Sequence, residues 1–67
     1  MNAYIDLIKT ILDAELRLEL LVKSLNTNFL TEPTILYFFS KDEVEEFQKK
    51  GILIKVEGYL FNKRWLV

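Results

Sequence analysis

The sequence predicts an α+β fold: one long amphipathic helix, a short strand or turn, a short capped helix and a C-terminal antiparallel hairpin. Three observations carry that expectation. Apolar residues recur with a 4-3-4-3-4 spacing through the first 25 positions. A capping sequence, Ser40-Lys-Asp-Glu43, is followed by a helix-ending Gly51. Apolar alternation then runs on both sides of Glu57-Gly58, a hairpin-turn pair.

The first helix is expected over residues 3–25. Leu7, Ile11, Ala14, Leu18, Leu21 and Leu25 form a heptad seam flanked by Tyr4, Ile8 and Val22, and neither Gly nor Pro interrupts it. Asp6, Lys9, Thr10, Asp13, Arg17 and Ser24 make its polar face. A second apolar stripe, Ile5, Leu12 and Leu16, is set apart from the seam by Glu15 and Glu19. The rest of the chain is too short to cover both stripes of a helix about 35 Å long. The second stripe is therefore expected to meet another chain, with Glu15 and Glu19 fixing orientation as charges beside a helical seam do.

Residues 26–33 (NTNFLTEP) read as a loop that tucks Phe29 and Leu30 onto the core. Residues 34–39 (TILYFF) favour a strand over a turn, although Thr31-Glu32-Pro33 also resembles a helix start. The second helix is expected over residues 41–50, with acids in its first turn, Lys49 and Lys50 in its last, and Val44 and Phe47 toward the core. The hairpin takes residues 52–67, with Val56 opposite Tyr59 and Ile54 opposite Phe61. Its Ile52, Ile54, Val56, Tyr59, Phe61, Trp65 and Val67 face is expected to pack on the first helix. Leu53, Lys55, Glu57, Leu60, Asn62, Arg64 and Leu66 take the other side. All 67 residues belong to a single small domain on this reading.

Composition narrows the chemistry. An apolar content of 51% excludes disorder. The absence of Cys and His removes disulfides, Cys nucleophiles and His bases, and nearly all zinc, haem and iron–sulfur chemistry. No catalytic residue, cofactor, metal or small-molecule substrate is expected. Asp6 and Asp13 lie inside the first apolar stretch without a basic lead-in, so no signal peptide is read there. No apolar window is long enough to span a membrane, and a cytoplasmic location is expected. The mixed charges of the first helix also fit a membrane-surface helix poorly.

Charge is distributed unevenly behind the net −1. Residues 1–48 hold nine acids against four bases, whereas residues 49–67 hold five bases against Glu57 alone. Lys55, Lys63 and Arg64 are the candidate nucleic-acid contacts of that basic end. The acids Asp42, Glu43, Glu45 and Glu46 read as a solvated helix face, with Glu43 committed to capping and Glu46 spaced to pair with Lys50.

A helix ending in Lys49-Lys-Gly-Ile-Leu53 and leading to a basic-aromatic strand, Asn62-Lys-Arg-Trp-Leu66, resembles the second half of winged-helix domains. The resemblance implies a two-stranded wing and, in DNA-binding members, a preceding helix that enters the major groove. Here that helix, residues 41–50, has acids at four of its first six positions, which phosphate would repel. The function expected is therefore a non-enzymatic protein-interaction module, an accessory subunit or inhibitor, that forms a homodimer or docks on a partner protein through its long helix. The alternative is a small winged-helix-like DNA-binding regulator that uses the basic hairpin.

Overall fold

A straight helix over residues 3–25 would be about 35 Å long, whereas the longest axis of the chain is 29 Å. In the computed structural model, which describes residues 3–63, the chain bends instead. Helix α1 spans Ala3–Ile8 and α2 spans Ala14–Leu25. This corrects the single-helix expectation, and two short polar side chains explain the break. The Thr10 hydroxyl donates to the Leu7 carbonyl at 2.7 Å, diverting the backbone at the end of α1. Asp13 then starts α2 as its N-cap, accepting the N–H groups of Glu15 at 3.0 Å and Leu16 at 3.2 Å.

Asn26, in the left-handed conformation, closes α2. The expected loop contains a strand, β1, Phe29–Thr31. Residues 34–39 are not a strand: helix α3 spans Glu32–Phe38, with Pro33 in its first turn and the Thr31 hydroxyl accepting from the Thr34 N–H at 3.4 Å. The cap and proline outweigh the β preference of Ile35, Tyr37 and Phe38. Helix α4, Lys41–Lys49, has the expected reciprocal cap between Ser40 and Glu43, with Gly51 beyond it at φ +74°.

Glu43 connects that cap to pH. Its carboxylate accepts the Ser40 N–H at 2.9 Å and an Arg17 N–H at 3.0 Å. The Ser40 bond first, and Arg17 with it, hold its pKa below the ordinary carboxylate value against the opposing effect of partial burial. A lowered folded pKa stabilises the protein fully above the unfolded value, and the gain is lost as pH falls through the folded one. Glu43→Gln should therefore flatten the acid limb of a stability–pH series followed by urea unfolding. An unchanged acid limb would exclude Glu43 as its source.

Strands β2, Leu53–Val56, and β3, Tyr59–Asn62, form the expected hairpin with Val56 opposite Tyr59 and Ile54 opposite Phe61. Glu57 and Gly58 both have positive φ, as a tight hairpin turn of this hand requires. Strand β1 adds antiparallel to β3, giving a three-stranded sheet of order β1-β3-β2.

The core lies between the helices and one face of this sheet. Ile8, Leu18, Leu21, Val22, Ile35, Phe38, Phe39 and Phe47 meet Leu30, Leu53 and Leu60 there. That is the opposite hairpin face from the one the alternation suggested, although Ile52, just before β2, is buried. The connection from α4 decides the matter. Gly51 redirects the chain, the Ile52 N–H donates to the Phe47 carbonyl at 2.8 Å, and Leu53 is turned inward opposite Asn62.

Candidate functional site

The helices cover one side of the sheet, and the other side is the candidate site. Alternation along β1 turns Phe29 and Thr31 outward while Leu30 goes in. Along β3 it turns Tyr59 and Phe61 outward, and along β2, Ile54 and Val56. Strand register aligns these into two rows, Phe29–Phe61–Ile54 and Thr31–Tyr59–Val56. The Phe29 ring lies 5.5 Å from Tyr59, edge to face, and 5.4 Å from Phe61. Phe29 and Tyr59 nevertheless stay 45% exposed, with Ile54 and Val56 exposed beside them and Phe61 half-buried. A contiguous apolar patch of this kind marks a contact surface more often than chance exposure does.

The sequence-predicted interface residues do not form one helical stripe. Ile5 is half-buried, packed in part against the core. Leu12 falls in the elbow between α1 and α2 and is 95% exposed. Leu16 is exposed on the first turn of α2. Glu15 and Glu19 are also exposed, and Glu19 pairs with Lys23 at 3.4 Å on its own helix.

Of the basic residues, Lys55 reaches Glu32 at 3.8 Å and Lys63 is exposed just past β3. Arg64 lies outside the described residues, as do Trp65, Leu66 and Val67. The Glu46–Lys50 pair forms at 4.0 Å. Among the described residues, no group of three or more acidic side chains is arranged to hold a metal ion, and no helix is long and apolar enough to cross a membrane.

Arg17 has a different place from the one its sequence position suggested. It was expected on the polar face of the first helix, yet it is 8% exposed. Its Nε donates to the Ile11 carbonyl at 2.7 Å, one terminal nitrogen to the Phe38 carbonyl and to Glu43 at 3.0 Å each, and the other to Leu12 at 3.4 Å. It also stacks over Phe39. Arg17 thus ties the elbow to α3 and α4; the elbow's open carbonyls, which create its partners, exist only because the helix breaks.

A shallow apolar groove of about 380 Å³ lies between α1 and α3, lined by Ile5, Pro33, Thr34, Tyr37 and Phe38. Lys9 stands 3.8 Å above the Tyr37 ring, near that groove. Compared with protein-family models, curated proteins and solved structures, the chain matches none.

Proposed function

We propose that this chain is a non-enzymatic protein-interaction module on a winged-helix-like frame. The frame reading is supported by α4 running through Gly51 into the two-stranded hairpin β2–β3, with β1 as a third strand. The interaction reading rests on one observation: the outward sheet face presents Phe29, Ile54, Val56, Tyr59 and Phe61 without a charged side chain among them. Solvated sheet faces normally alternate to polar residues, so a face of this composition is suited to burial. Leu12 and Leu16 at the elbow, bordered by Glu15 and Glu19, offer a second contact area.

The alternative, a duplex-DNA regulator, has less in its favour. The helix preceding the wing exposes Asp42, Glu45 and Glu46, and Lys55 is engaged by Glu32. Anisotropy of labelled duplex DNA at about 50 and about 200 mM salt separates the two readings. No saturable binding at the lower salt is expected. Saturable binding that falls steeply with salt and weakens in Lys63→Ala would replace the interaction reading with the DNA one.

A further inference from the structure

Resting on the interaction reading, we infer that the outward sheet face is covered by a second copy of this chain, laid face to face with its β3 antiparallel to the first. The charges at the two ends of the face point to this occupant. The middle is uncharged: Phe29, Phe61 and Ile54 form one row, and Thr31, Tyr59 and Val56 the other. At one end of β3 stands the turn residue Glu57, and just past the other stands Lys63, both exposed and neither ion-paired among the described residues.

A two-fold axis crossing the strands places Glu57 of one copy over Lys63 of the other, twice. A two-fold along the strands would instead set Glu57 over Glu57 and Lys63 over Lys63. The patch is thus complementary to itself in one orientation, as an isologous contact requires. A single-stranded nucleic acid fits the same face less well. Its aromatic rings pack against one another, Ile54 and Val56 flank them, and Lys63 is the one cation at that face among the described residues. Strand-tracking platforms combine stacking rings with a basic groove.

The two rows hold six residues a side, against roughly 20–30 in a standard interface, so the dimer should dissociate on dilution. Sedimentation equilibrium over a wide concentration range is the test. The mass should rise from the 8.0 kDa monomer toward twice that value. Ile54→Lys and Val56→Lys, both on the edge strand where Lys is well tolerated, should each weaken association by about tenfold or more, a shift of about 1.4 kcal/mol, with an unchanged circular dichroism spectrum.

Glu57→Lys should weaken association several-fold, and adding Lys63→Glu should restore it. A monomer at every concentration would overturn the inference, as would a dimer indifferent to both Lys substitutions. Failure of the paired charge reversal to restore association would overturn the antiparallel arrangement. Saturable binding of a labelled single-stranded oligonucleotide, lost in Ile54→Lys, would assign the face to nucleic acid instead. Duplex binding through Lys63 remains a separate result, so the two readings fail separately.

Discussion

Arg17→Met is expected to remove a large share of the protein's folding stability, about 3 kcal/mol. Met keeps most of the apolar stem but removes every donor. The Phe38, Ile11 and Leu12 carbonyls then lose the bonds they receive from the guanidinium, and Glu43 loses its ion pair. Removing one partner of a fully buried, hydrogen-bonded ion pair costs about 3–5 kcal/mol, and the partly exposed Glu43 carboxylate puts this pair at the lower end. A chain of this length has a total stability of only about 3–10 kcal/mol. Arg17→Lys should fall between the two, because an ammonium retains charge but cannot reach so many acceptors in one plane. Urea unfolding followed by circular dichroism measures all three proteins. A loss below about 0.5 kcal/mol for Arg17→Met, the range of ordinary surface substitutions, would show that the elbow does not depend on it.

Leu53→Ala should be far more costly than Ile54→Ala, although the two residues are neighbours of similar size. Leu53 is 1% exposed in the core, opposite Asn62 in the sheet, whereas Ile54 is 38% exposed on the outward face. Truncating a buried Leu costs about 2–5 kcal/mol through lost transfer energy and the cavity left behind. The exposed Ile54 should lose about 1 kcal/mol or less in dilute protein, mainly through reduced β preference and cross-strand packing. The comparison distinguishes the two faces directly: the order reverses if the Ile54 face is the buried one. Equal large losses would mean that both faces are covered in the folded monomer.

The local features were legible because their causes lie within a few residues. Ser40 and Glu43 satisfy one another's backbone across three positions, so the start of α4 needs nothing from elsewhere. Glu57-Gly58 sets the hairpin register through its own positive φ values. Thr31-Glu32-Pro33 carried the signal for α3, but the β-branched and aromatic run after it pointed the other way. A three-residue strand such as β1 is too short to display a period, so Phe29 was legible as apolar but not as part of a sheet.

An α+β chain, the α4 cap and the pairing of β2 with β3 are thus written in local sequence. The packing of distant elements set the burial of Arg17 and which face of the sheet is open, whereas the bend at residues 9–13 starts from Thr10 and Asp13 themselves. The burial of Arg17 depends on acceptors gathered from the elbow, α3 and α4, which lie far apart in the sequence. The open face depends on the direction in which Gly51 and Ile52 return the chain from α4. Periodicity separated the two hairpin faces and favoured the wholly apolar one, Ile54, Val56, Tyr59 and Phe61, over the mixed one, Leu53, Lys55, Leu60 and Asn62, yet the core took the mixed one. That choice was made by which face the helices could reach, and it left Phe29, Tyr59 and Phe61 beside Ile54 and Val56 on the side the helices do not cover.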